Sequence, residues 1–116
     1  MLLDTLALDT SLFLVAVNGD EVLGYVGSVL AGDEVSITNV AVFPAHRHKG
    51  VGEALIKELI KRAESQSFSK IFLEVRVSNA PAIALYEKTG FEIKGTRKNF
   101  YTLPREDAFV MTYEIK

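Results

Sequence analysis

Residues 39–60 read NVAVFPAHRHKGVGEALIKELI, and the change of rhythm inside them decides the fold. Up to Phe43 the stretch is rich in β-branched residues and reads as a strand. From Val51 to Glu64 the apolar residues Val51, Ala54, Leu55, Leu59, Ile60 and Ala63 recur at the 3–4 spacing of one helical face. Lys57, Glu58, Lys61 and Arg62 fall largely on the opposite face, as expected for a helix packed on a sheet. Between strand and helix lies PAHRHKGVG, residues 44–52. Its Gly50-x-Gly52 spacing lets the backbone turn tightly and approach a ligand without a Cβ clash. A helix opening there offers unpaired N–H groups and the positive end of its dipole, a setting for an anion and above all for a pyrophosphate.

Which phosphate ligand is a separate matter. A P-loop needs four residues between its glycines followed by Lys-Ser/Thr, and this loop has neither. A dinucleotide fingerprint needs a small residue where Leu55 stands. His46 and His48 have no carboxylate or thiolate at ligand spacing in the chain, which argues against zinc. At this point a plain turn with solvated basic residues is as good a reading as a phosphate loop.

Outward from this loop the chain alternates in type. Residues 11–17, SLFLVAV, read as a strand ended by Asn18-Gly19-Asp20, a strong hairpin signal. Strands follow at 22–31 and, after Gly32-Asp33-Glu34, at 35–43, making a three-stranded meander. Past the helix, KIFLEVRV (70–77) alternates as a strand. A short helix is expected over 79–89, with Ser78 or Asn79 as cap, Pro81 in the first turn and Gly90 as the residue that ends it. Strands at 91–101 and 108–115, separated by Thr102–Asp107, complete the order β-β-β-α-β-α-β-β, an α/β (α+β) mixed sheet.

Composition bounds the function. The chain has 116 residues, which fits one domain over 1–116. With 13 Lys+Arg against 15 Asp+Glu it lacks the basic excess of a general nucleic-acid binder. It contains no cysteine, so a disulfide scaffold, a thiolate zinc site and a cysteine nucleophile are excluded. The apolar runs fall short of the roughly 20 residues that cross a bilayer, and no secretory leader pattern is present. A cytoplasmic enzyme or binding module, with no membrane or nucleic-acid partner, is the expectation.

Two stretches carry a resemblance. NVAVFPAHRHKGVGEALIKELI is similar to the Arg/Gln-x-x-Gly-x-Gly/Ala acetyl-CoA signature of the GNAT N-acetyltransferase superfamily, with Arg47, Gly50 and Gly52 in place. LEVRVSNAPAIALYEKTGFE (73–92) resembles its RimI subfamily of ribosomal-protein-alanine N-acetyltransferases, through Leu73–Asn79, Ala82–Tyr86 and Gly90-Phe91. RKNFY (97–101) and REDAFVM (105–111) resemble that subfamily too, so the likeness runs from about residue 11 to the C-terminus.

The resemblance implies transfer of acetyl from acetyl-CoA to an amine by direct attack, with no metal. It implies that backbone groups of Val40, Ala41 and Val42 hold the pantetheine and polarise the thioester. The segment around Arg47, and His48, Lys49, Gly50, Val51, Gly52 and Glu53 in particular, would wrap the pyrophosphate, largely through amides. The acceptor implied is a protein N-terminal α-amine, such as the N-terminal alanine of a ribosomal protein. A lysine side chain, a small amine, or a non-catalytic acetyl-CoA-binding module are the alternatives.

Four side chains would carry the chemistry. Glu74 shares a strand face with Phe72 and Arg76; it could simply pair with Arg76 or face water, but the resemblance makes it the general base. Tyr86 could be a packed helical tyrosine with a satisfied hydroxyl, and the resemblance makes it the proton donor to the departing thiolate. Asn79 reads as a helix cap on physical grounds and as a pantetheine contact by resemblance. Tyr101 would line the acceptor groove by analogy with amino-terminal acetyltransferases.

The family fold also has a first strand and two helices ahead of this sequence. Residues 1–10, MLLDTLALDT, are then expected to supply only the end of the second helix. That would leave 11–17 as a bare apolar edge, open to association with another copy of the chain.

Overall fold

Two tight turns, with Gly19 and Gly32 at φ +62° and +60°, fold the first half of the chain into hairpins. The computed structural model describes residues 2–8 and 11–115, with side chains from Leu12 onward. Its strands are β1 (Leu2–Leu8), β2 (Ser11–Asn18), β3 (Glu21–Ala31), β4 (Glu34–Val42), β5 (Lys70–Arg76), β6 (Glu92–Thr102) and β7 (Arg105–Glu114). Helix α1 (Val51–Ser65) joins β4 to β5, and α2 (Ala80–Lys88) joins β5 to β6. The sheet runs β1-β2-β3-β4-β5-β7-β6. Among the described residues only β4 and β5 are parallel, because α1 crosses between them; the other pairs are antiparallel.

The expected mixed α/β sheet with two helices is present, with one strand more than the sequence reading allowed. Leu2–Leu8 is a strand, not the end of a helix, and pairs with β2 from Leu2↔Val17 to Leu8↔Ser11. The edge expected at 11–17 is therefore occupied by the chain's own N-terminal segment. Leucine and alanine favour a helix in isolation, but an open ladder of donors and acceptors on β2 outweighs that weak preference. Met1, Asp9 and Thr10, part of the same expectation, lie outside the described residues.

The core lies between one sheet face and α1. Val51, Leu55, Ile56, Leu59, Ile60 and Ala63 are buried on the helix, Ile56 being an addition to the stripe read from sequence. They meet Leu12, Leu14 and Ala16 of β2, Val26, Val35, and Ile71 and Leu73 of β5. Each fully buried Leu or Ile contributes about 1.5–3 kcal/mol over its exposed state.

Strand β4 is irregular along both of its edges. Gly27 pairs with Asn39 and Ser28 with Ile37, so Thr38 is an extra residue on β4, a bulge that bends the strand. On the other side of β4 the parallel ladder to β5 ends at once, with only Glu34↔Lys70, Val35↔Ile71 and Ser36↔Phe72. The β6–β7 hairpin is also tighter than expected, since only Leu103 and Pro104 separate its strands. Arg105–Asp107, expected in a loop, belong to β7.

Candidate active site

Past Ser36 and Phe72 strands β4 and β5 part, and the backbone groups that residues 37–42 turn towards β5 have no strand partner there. Buried or half-buried amides need partners, so this opening suits a ligand that completes the ladder. A cleft of about 1120 Å³ fills it, bounded by residues 37–42, by Leu73–Arg76, by the start of α1 and by α2. Val40, Ala41 and Val42, the residues expected to hold a pantetheine, form one wall. Gly24 fixes that wall from behind: a Cβ there would overlap the carbonyl oxygen of Ala41.

The glycine loop forms one end of the cleft. Gly50 caps α1 at φ +80° with no side-chain hydrogen bond, leaving the first amides of a 15-residue helix uncapped by any side chain. Gly52 sits against Val42 and Leu85, with room for a Cβ only 3.2 Å from Leu85 Cδ2. His48 also takes a positive φ of +63°, which helps curl the loop. Arg47 does structural work: its Nε donates to the carbonyl of Val42 at 3.0 Å, pinning the strand end to the loop. Of the expected cofactor residues, Lys49 alone does not line the cleft.

Two side-chain contacts here join residues far apart in sequence. His46 Nε2 lies 3.4 Å from Glu21 Oε1, a carboxylate that arrives from β3. No group of three or more potential metal ligands occurs among the described residues. Glu53 lies 2.9 Å from Lys88 and 3.6 Å from Lys57. The close contact with Lys88, aided by both positive charges, holds its carboxyl below the usual range against a smaller opposing effect of desolvation.

Glu74 and Tyr86 both line the cleft, Glu74 from β5 and Tyr86 from α2. Ile71, Leu73 and Val75 of β5 are buried while Phe72, Glu74 and Arg76 are half-buried on the other face, as the alternation implied. Glu74 does not pair with Arg76. Its carboxylate Oε2 is 3.5 Å from Arg97 Nε of β6, whereas Arg76 is engaged elsewhere. Tyr86 is buried, its ring 5.7 Å from that of Phe91. Its hydroxyl has no hydrogen-bond partner among the described residues. Burial, with a smaller contribution from Tyr101, pushes the phenol up to about 12.

Asn79 caps α2, its Oδ1 accepting from the Ala82 amide at 3.2 Å, and still lines the cleft. Tyr101 lines the cleft too, its hydroxyl 3.4 Å from the carbonyl of Glu74. Arg76 organises this corner in a way no sequence spacing revealed. It donates to the carbonyls of Pro104 and Leu103 at 3.0 and 3.2 Å and to Glu106 at 3.2 Å. Glu106 in turn accepts from the Ser78 amide at 2.8 Å. Hydrogen bonding from Ser78 is the largest cause of its lowered pKa, with Arg76 contributing.

These features can be set beside known proteins. The profile of the acetyltransferase (GNAT) family matches residues 2–91. The [ribosomal protein bS18]-alanine N-acetyltransferase of Escherichia coli K12 is 45% identical over 85 residues, 72% of this chain and 57% of that protein. A Bacillus subtilis protein named as a candidate for the same activity is 38% identical over 99 residues, 85% of this chain and 66% of its own length. This chain thus spans about six-tenths of the curated relatives it matches. The crystal structure of the ribosomal-protein-S18-alanine N-acetyltransferase from Escherichia coli superimposes with a TM-score of 0.88 at 35% identity. That match covers 95% of this chain and 72% of the other. Profile, sequence identity and superposition agree with the splayed strands and glycine loop: the chain belongs to the GNAT family of acetyltransferases.

Proposed function

We propose that this chain moves acetyl from acetyl-CoA to the α-amine of a protein N-terminus, with the N-terminal alanine of a ribosomal protein as the favoured acceptor. The observation that carries the reading is the meeting of four elements in one cleft. They are the side of the 40–42 backbone that faces β5 without a strand partner, the uncapped start of α1, the Glu74 carboxylate and the Tyr86 hydroxyl, unpartnered among the described residues. The relatives named for acetylation of ribosomal-protein alanine support the acceptor.

The thioester carbon receives the amine directly. An α-ammonium has a pKa of roughly 7.7–8, so near neutrality much of it carries a proton that must leave before attack. Glu74 takes that proton, directly or through water. As the C–N bond forms and the C–S bond breaks, the sulfur gains negative charge. Tyr86, still protonated up to about pH 12, presents an O–H to it and supplies its proton, and the second proton shed by the new amide nitrogen is passed through solvent to restore the phenol. Asn79 and the 40–42 backbone orient the pantetheine arm, and the amides of Val51, Gly52 and Glu53 receive the pyrophosphate. Lys49 is the weakest of the proposed contacts, since it stands outside the cleft. Tyr101 lines the acceptor side. Acetyl-CoA and a cytoplasmic protein N-terminus are then the partners.

Thermal unfolding with and without acetyl-CoA tests the cofactor half. At about 100 times the dissociation constant the ligand stabilises by about 2.7 kcal/mol, a shift of very roughly 10 °C. Mass analysis of peptides with a free N-terminal alanine, and of blocked peptides with an internal lysine, tests the acceptor half. Acetylation of the lysine peptide alone overturns the acceptor. A thermal shift with no acetylation of any amine leaves an acetyl-CoA-binding module.

A further inference from the structure

Glu53 stands in the first turn of α1, at the end of the cleft where the proposed reading puts a pyrophosphate. In a bare helix an anion there is favourable. Beside a diphosphate it is a like charge, and like charges in a partly desolvated cleft repel. Its Oε1 is withdrawn from solvent, and the Lys88 ammonium lies 2.9 Å away. Lys57 is on the same helix and further off at 3.6 Å; both lysine side chains are largely exposed, so it is distance and helix of origin that set Lys88 apart. Lys88 comes from the other helix of the cleft, one turn beyond Leu85, the residue against which Gly52 packs. The two helices therefore meet through an apolar contact, Gly52–Leu85, and an ionic one, Glu53–Lys88.

We infer that Lys88 is a positioning residue of the cofactor site: it neutralises Glu53, so that the N-terminus of α1 can take the diphosphate of acetyl-CoA, and it ties α2 to that helix end. Lys88 acts through Glu53 and does not itself hold a phosphate. The inference rests on the acetyl-CoA reading above.

Calorimetric titration of acetyl-CoA and of S-acetylpantetheine, a thioester without phosphates, into wild type, Lys88→Met, Lys88→Arg, Glu53→Gln and the Glu53→Gln/Lys88→Met double variant tests it. Lys88→Met is expected to weaken acetyl-CoA binding about threefold at low salt, and less at high salt. Lys88→Arg keeps the wild-type affinity. In the Glu53→Gln background the Lys88→Met loss disappears, and S-acetylpantetheine binds wild type and Lys88→Met alike. Unchanged acetyl-CoA affinity in Lys88→Met overturns the inference. So does the same loss in the Glu53→Gln background, which would make Lys88 a phosphate ligand, or an equal loss with S-acetylpantetheine, which would make it purely structural. Failure of the wild type to bind acetyl-CoA would overturn the cofactor reading and this inference with it.

Discussion

The Arg76 guanidinium lies over the Tyr101 ring, 4.1 Å from its centroid, while its N–H groups hold the carbonyls at the tip of the β6–β7 hairpin. One side chain thus sets the position of an aromatic wall and of the hairpin behind it. Arg76→Ala is expected to destabilise the fold by about 1–3 kcal/mol, since bonds to a charged donor and a cation–π contact are lost together. In an acceptor titration it should raise the acceptor KM more than it lowers kcat. Arg76→Lys keeps the charge but not the planar fork, and should fall nearer to Ala than to wild type.

Glu74→Gln removes the proposed proton acceptor while preserving size. Turnover should fall about 10²–10⁴-fold with acetyl-CoA affinity little changed. The loss should be smallest at alkaline pH, where the amine arrives already deprotonated. A pH–rate profile beside that of wild type checks this, and equal turnover near neutrality would remove Glu74 from the role of base.

Tyr86→Phe separates packing from the proposed proton donation. Turnover should drop with the ring still seated against Phe91. There is a second readout, because the folded phenol is raised from its ordinary value near 10 to about 12. A raised pKa means the folded state keeps a proton that the unfolded chain releases. The stabilisation is then fully present below about pH 10 and lost as pH rises towards 12, on the order of 2–3 kcal/mol. Denaturant midpoints across that range should fall more steeply for wild type than for Tyr86→Phe.

Asn79→Ala deletes the α2 cap and should cost about 1 kcal/mol, lowering Tm by roughly 5 °C. Asn79→Ser restores a cap but shortens the reach into the cleft. If Asn79 also contacts the pantetheine arm, the Ser variant recovers Tm without recovering acetyl-CoA affinity.

Gly24→Ala should be among the more damaging single-methyl changes, because its neighbour is backbone and not a yielding side chain. A loss of about 1–3 kcal/mol is expected, together with weaker acetyl-CoA binding as Ala41 is displaced. Chemical denaturation and ligand titration on the same sample check both.

The order of elements from β2 to β7 was legible because each turn carries its own local chemistry, Asn18-Gly19, Gly32-Asp33 and Thr89-Gly90 among them. The glycine loop between β4 and α1 was legible too, and Glu74, Tyr86, Asn79 and Tyr101, singled out through the family likeness, all line one cleft. What escaped reading was non-local. Nothing in MLLDTLALDT says that an open edge on β2 awaits it. Nothing in the spacing says that Glu74 meets Arg97, that Arg76 turns to Glu106, or that Lys88 reaches Glu53. These partners are chosen by strand register and helix placement, which short-range patterns do not encode.

Three residue pairs are all that stitch β4 to β5, so the sheet is two half-sheets joined by a narrow seam and backed by α1. A long, thin ligand laid along the gap would act as a splint. Both rims would then open less often, including amides of β4 and β5 that the ligand never touches. Hydrogen exchange should slow on both sides of the seam together, and substrate would be what makes the two halves behave as one plate.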